Sequence, residues 1–159
     1  MPIDTGYIIE SQQFVRLERE SVMQGFGRKA VDKNSSDRKY TIVFESYPTY
    51  LYALVHGEDY GYEVLCSFLR DISDEAKARG YKQVLIEENI SAGATKDVAY
   101  RVATELAELG FTGIRMAYVD RFLDQEEVNE YGRDVAVNKG IDVRLFSDQN
   151  MADRWLTSD

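Results

Sequence analysis

The chain has little of the residues that most often carry chemistry: one cysteine and one histidine among 159 residues. A lone Cys66 excludes an internal disulfide, and its place in the apolar stretch VLCSFL reads as a packed, inert thiol in a reducing compartment. A lone His56 leaves serine-nucleophile chemistry with a single base that must be brought from another segment, together with an acidic residue to orient it. No Cys, His, Asp or Glu spacing matches a metal motif, so no metal and no cofactor are expected. Positive charge is also short, with 19 basic against 28 acidic residues and a net charge of −9. Such a balance repels a polyphosphate backbone, so neither nucleic acid nor an anionic membrane is an expected partner; the acidity itself reads as solubility. No run approaches the ~18 apolar residues of a membrane span. The opening MPIDTGYIIESQQFVRLERE lacks the basic, apolar, small-residue order of a secretory signal, and a soluble cytoplasmic protein is expected.

What is present divides unevenly. Residues 1–39 carry 7 basic and 6 acidic side chains, leaving 12 and 22 for residues 40–159. A chain of this length suits one domain whose core buries about 68–70% of its surface without a staple. The reading is therefore an N-terminal extension, partly flexible, over residues 1–39 and a domain over 40–159. Arg28 to Lys39 is polar and reads as a loop or linker. Tyr7, Ile8, Ile9, Phe14 and the apolar residues up to Phe26 show no clean period, and Gly25 with Gly27 is an isolated pair with no preceding strand.

From Tyr40 the periodicity is sharp. Residues 40–46 and 50–56 are β-branched and aromatic runs separated by Tyr47, Pro48 and Thr49, which reads as a hairpin. Val64, Leu65, Phe68, Leu69, Ile72 and Ala76 mark a helix closed by Gly80. Val84, Leu85 and Ile86 form the unbroken apolar run of a strand buried on both faces. Val98, Val102, Leu106 and Leu109 then predict a helix that stops at Gly110. A strand over 113–119, a helix near 124–139 begun by an Asp124/Glu127 capping pair, a strand over 142–146 and a short helix capped by Asp148 complete the pattern. The order β-β-α-β-α-β-α-β-α predicts an α/β fold: a mixed sheet with an N-terminal antiparallel hairpin, then parallel strands, packed with about four helices.

The stretch VLIEENISAGATKD, residues 84–97, is where a strand's carboxyl end meets a helix amino terminus. Open α/β sheets gather ligands and anions in such places. With parallel strands, Glu87, Glu88, Asn89, Ser91 and Gly93 should meet Asp120, Arg121, Ser147 and Asp148 at a common rim. Ser91 is expected to cap the following helix, and Arg121 to pair with Asp120 or Asp124. The carboxylates form an acidic surface rather than a cation site. Eleven tyrosines include Tyr47, Tyr50, Tyr52, Tyr60 and Tyr62 around the hairpin and first helix. They suit a sheet face beneath a helix or tail, and equally a protein interface or an aromatic groove for a small apolar ligand.

The strand order, together with VLIEENISAG, MAYVDR (116–121) and VAVNKGIDVRLFSDQNMADRWL (135–156), resembles the STAS fold over residues 40–157. More narrowly it resembles the SpoIIAA-like family. The resemblance implies a regulatory module whose partner exchange is switched by phosphorylation of a serine at the position of Ser91. The family's Asp-Ser-Ser-Gly or Asp-x-Ser-Gly order here becomes Asn89-Ile90-Ser91-Ala92-Gly93, with an amide for the acid and the glycine displaced by one.

Three functions follow as expectations. The first is a non-catalytic regulatory module that binds a protein partner, with Glu88, Asn89, Ser91, Gly93, Asp120, Arg121 and Ser147 as its surface. The second is a binder of a small apolar ligand or lipid, with Tyr50, Tyr52, Tyr60 and Tyr62 as the groove. The third is a hydrolase built on Ser91 and His56. The sequence sets no oligomeric state, and a dimer is compatible with it.

Overall fold

The structure, a computed structural model, describes residues 28–31, 39–58 and 61–158. Tyr60 and the apolar residues from Tyr7 to Phe26 lie outside the described residues, so the covering role considered for that N-terminal segment does too.

Six strands, β1 (Arg28–Val31), β2 (Tyr40–Ser46), β3 (Leu51–Gly57), β4 (Gln83–Ile90), β5 (Arg115–Asp120) and β6 (Val143–Phe146), pair in sequential order in one sheet. β1, β2 and β3 are antiparallel, whereas β3 to β6 are parallel. The hairpin between β2 and β3 closes over Pro48 and Thr49, where Tyr47 N–H donates to the Tyr50 carbonyl at 3.0 Å. β1 corrects the reading of Arg28 to Lys39 as loop throughout: Arg28–Val31 pairs with Ile42–Glu45. An edge strand needs only a partner's free backbone groups, so four residues of mixed polarity suffice and leave no apolar signature.

Three helices join the parallel strands: α1 (Tyr62–Ala78), α2 (Lys96–Glu105) and α3 (Glu126–Asn138). Right-handed crossovers that always step to the next strand in line place all three on one face. Their Leu65, Phe68, Ile72, Val102, Ala103 and Ala136 pack against Leu51, Ala53, Val84, Ile86 and Met116 of the sheet. The last helix, α4 (Gln149–Thr157), covers the opposite face, where Ala152 and Leu156 meet Tyr52, Leu54, Leu85 and Val119. β4 is thereby sandwiched, with Val84 and Ile86 facing one layer and Leu85 the other, which accounts for its unbroken apolar run.

The helix starts hold two corrections. α2 is capped by Thr95, whose side chain accepts the Val98 N–H, and not by Ser91, which lies four residues earlier in the loop. β4 runs on to Ile90, so the chain must first turn before helical dihedrals begin. Replacing Thr95 by alanine should cost about 1 kcal/mol, while Ser91→Ala should stay within about 0.5 kcal/mol of wild type; urea denaturation of both variants checks the assignment. The Asp124/Glu127 capping pair is also absent. Asp124 sits in a short 3₁₀ turn, Leu123–Gln125, and the N-cap Gln125 makes no side-chain cap bond. Asp120 dominates this corner by accepting the Phe122 N–H at 2.9 Å, an Asx-type turn that bends the chain before α3 starts.

α2 ends at Glu105, short of the expected Gly110, and the chain widens into a π-helical turn, Ala107–Phe111, inside which Gly110 takes a φ of 103°. Gly110 lies against α1. A Cβ on Gly110 would lie 2.6 Å from Ser73 Oγ, and Ser73 donates to the Leu109 carbonyl at 2.5 Å. Asp148 caps α4, accepting the Met151 N–H at 2.9 Å.

Candidate functional site

Parallel pairing brings the carboxyl ends of β4 and β5 side by side, with Glu87 opposite Val119 and Glu88 opposite Asp120. Because successive strand residues point to opposite faces, Glu87 and Glu88 enter different layers of the protein. Each is buried.

Glu87 enters the α4 layer and is satisfied there. Arg121 donates to its Oε1 from Nε at 2.6 Å and from a second guanidinium nitrogen, while the Tyr52 hydroxyl donates to Oε2. Arg121 is therefore paired with Glu87, not with Asp120 or Asp124. Linear proximity favoured the aspartates, but Asp120 lies on the other face of β5 and is already bound to Phe122 N–H and to Asn129. Beside Glu87 on the same face, His56 and Asn89 are register neighbours, and His56 Nδ1 lies 3.1 Å from Asn89 Nδ2.

Glu88 enters the helix layer. It is fully buried, and neither carboxylate oxygen has a hydrogen-bond partner. Burial, with a smaller contribution from the Asp120 charge, pushes its carboxyl well above the ordinary 4.5. Asp120 is raised from 3.8 by burial, against the pull of its bonds from Phe122 N–H and Asn129.

The rim outside these strands is a loop, residues 91–95, in which Ser91, Ala92 and Gly93 are exposed. Among the described residues Ser91 has no hydrogen-bond partner. Gly93 permits a close approach across the rim: a Cβ there would fall 2.0 Å from Gln125 Nε2. Ser147, exposed just past β6, borders a cavity that also touches Asp120. The strand ends therefore divide the expected group between two layers: Glu88 and Asp120 lie on the helix face, Asn89 and Arg121 on the α4 face, and Ser91 and Gly93 are exposed in the loop, with Ser147 at the neighbouring strand end.

Comparison with known proteins adds no family at this point. No family model matches the chain, and no curated protein matches it. What the geometry supports is an α/β fold with a mixed sheet, a description that fits STAS and SpoIIAA-like domains without being specific to them.

Among the described residues, the tyrosines expected to form an aromatic groove lie on two faces of the sheet. Tyr50 and Tyr52 are fully buried in the α4 layer, where the Tyr50 hydroxyl donates to Asp153 and its ring stacks on Tyr47 at 4.7 Å. Tyr62 starts α1 on the other face, donating to Glu105 beneath the Arg101 guanidinium, 3.8 Å from the ring centroid. Tyr50 and Tyr52, two residues apart, share one face of the sheet, whereas Tyr62 opens a helix packed on the other.

Among the described residues, no cluster of three or more His, Cys, Asp or Glu is placed to hold a metal, and no helix is long and apolar enough to cross a membrane. Cys66 is half-buried, and burial pushes its thiol up. The sheet also lacks a reversal of strand order between β3 and β6, so crossovers do not diverge to opposite faces and no crevice opens between them. Open space near these strand ends lies under α3. Residues there that the sequence did not single out include Asn129, Glu126, Glu130 and Arg133. Their signal was Asn129 itself, a polar residue on the inward stripe that includes Val128 and Ala136.

Proposed function

We propose that the chain is a cytoplasmic, non-catalytic regulatory module of the STAS and SpoIIAA-like kind, engaging a protein partner through the loop 91–95 and the outer face of α2, with Ser91 as its modifiable hydroxyl. The supporting observation is the contrast at the rim. His56, Asn89, Glu87, Arg121 and Asp120 are held by one another or by neighbouring residues, whereas Ser91 is exposed and makes no hydrogen bond among the described residues. Tyr100, 47% exposed on α2, adds an aromatic surface one and a half turns from the loop, of the type enriched at protein interfaces. Phosphate on Ser91 would add nearly two negative charges beside that surface without disturbing a buried contact.

The hydrolase reading finds less support, because the His56 nitrogen placed near β4 faces Asn89. The experiment is partner capture from the native host with Ser91→Asp and Ser91→Ala as baits. The charged variant should retain the fold and differ about tenfold in the partner recovered. Equal recovery by both baits, with no phosphate on the intact mass of the native protein, would exclude the switch.

A further inference from the structure

We propose that the cavity beneath α3 binds a small primary amine with an apolar tail, its ammonium seated on Asp120 at the mouth and its tail inserted between α3 and strands β5 and β6. The site adjoins the Ser91 surface, sharing Ala94 of the loop together with Asp120 and Ser147, but it does not use the Ser91 hydroxyl.

Two spaces make up the cavity. The inner one, about 100 Å³, is lined by apolar side chains that include Leu69, Val102, Met116, Ala136 and Val143. The outer one, about 180 Å³, reaches the carboxyl ends of β5 and β6 at Asp120 and Ser147. Tyr118, Asn129, Arg133 and Leu145 line both, so the two spaces adjoin across these side chains. The predominantly apolar lining of the inner space suits a short hydrocarbon tail.

The polar end selects the sign of the head group. Glu126 and Glu130 join Asp120 at the mouth, and the one cation lining it among the described residues, Arg133, is paired with Asp134 at 2.9 Å. Asp120 is half-buried and fixed by two donors, Phe122 N–H at 2.9 Å and Asn129 Nδ2 at 2.7 Å. A carboxylate has about four lone-pair positions, so Asp120 can still accept from an ammonium entering at the mouth. Glu88, on the adjacent strand and the same face, is fully buried without a partner and adds a further carboxyl behind Asp120. An anionic head would face three carboxylates, Asp120, Glu126 and Glu130, against the one guanidinium of Arg133. A neutral hydroxyl would forgo the charge-assisted bonds.

The test uses three probes of one tail length, hexylamine, hexan-1-ol and hexanoate, titrated calorimetrically into the full chain. Hexylamine should bind at least about tenfold more tightly than hexan-1-ol, and hexanoate should not bind. Asp120→Asn should erase the preference for amine over alcohol. The exposed double change Glu126→Gln with Glu130→Gln, which leaves the core untouched, should weaken the amine about two- to threefold. Val128→Trp, filling the inner space from its half-exposed side, should abolish binding of both amine and alcohol. Equal affinity for hexylamine and hexan-1-ol, no binding by any probe, or an amine preference unchanged by both the Asp120 and the glutamate variants would overturn the assignment.

Discussion

Replacing Arg121 by methionine is expected to destabilise the domain by about 2–4 kcal/mol, seen as a lower urea midpoint at neutral pH. Breaking a buried ion pair from one side costs about 3–5 kcal/mol, because the remaining charge stays desolvated. The figure is reduced here because the Arg121 side chain is 29% exposed and partly screened by water, while Glu87 is only 5% exposed. After the change Glu87 would keep only the Tyr52 hydroxyl. Arg121→Lys should recover part of the loss, restoring charge but not the two-nitrogen contact on Oε1. Combining Arg121→Met with Glu87→Gln should recover more, since the double change removes both charges. If Arg121→Met lies within about 0.5 kcal/mol of wild type, then water or another group satisfies Glu87, and Arg121 is available for an anion after all.

That prediction turns on which face of a strand a residue occupies, and the same question separates what the sequence made legible from what it did not. The parallel core was legible because burial writes itself into composition. Val84, Leu85 and Ile86 could run unbroken only in a strand covered twice, and the 3.6 period of Leu65, Phe68, Leu69, Ile72 and Ala76 leaves one face for the sheet. Asp148 as a cap was legible for a local reason, since the side chain and the N–H it accepts are three residues apart. Pairings across strands were not. Arg121 and Glu87 are 34 residues apart and meet only through the register of β4 and β5. The edge strand β1 carries no period, because pairing by backbone alone constrains no side chain. The cap on α2 was misplaced to Ser91 because two hydroxyls precede the helix, and only the length of β4 decides between them.

One sequence signal carried more than proximity suggested. Two adjacent glutamates at the end of an apolar strand cannot share a partner, because Glu87 and Glu88 point to opposite layers. Glu87 has its arginine and tyrosine. Glu88 has nothing but the neighbouring Asp120 charge, and that asymmetry marks β4's helix-facing end as the place where stability has been given up.

Glu88→Met should therefore stabilise the domain at neutral pH by about 1–4 kcal/mol, the range over which replacing buried charged groups by apolar residues of similar volume stabilises proteins. The gain should depend on pH in a defined direction. Glu88 is held well above its ordinary 4.5, by burial first and by the Asp120 charge second, so the native state binds this proton more tightly than the unfolded chain does. Below 4.5 both states are protonated and the group exerts no proton-linked penalty. As pH rises from 4.5 towards the raised native value, the unfolded chain releases its proton first and the native state loses stability, a loss that levels off once the native carboxyl has ionised too. Asp120, raised from 3.8 chiefly by burial, adds a slope of the same sign in both proteins. The advantage of Glu88→Met should thus shrink to about 1 kcal/mol near pH 4, where the protonated carboxyl still lacks a partner, and widen through the mildly acidic range. Urea midpoints of the two proteins at matched pH values measure it. A variant less stable than wild type at pH 7, or a gap that stays constant with pH, would mean that Glu88 is not the unsatisfied acid that its surroundings describe.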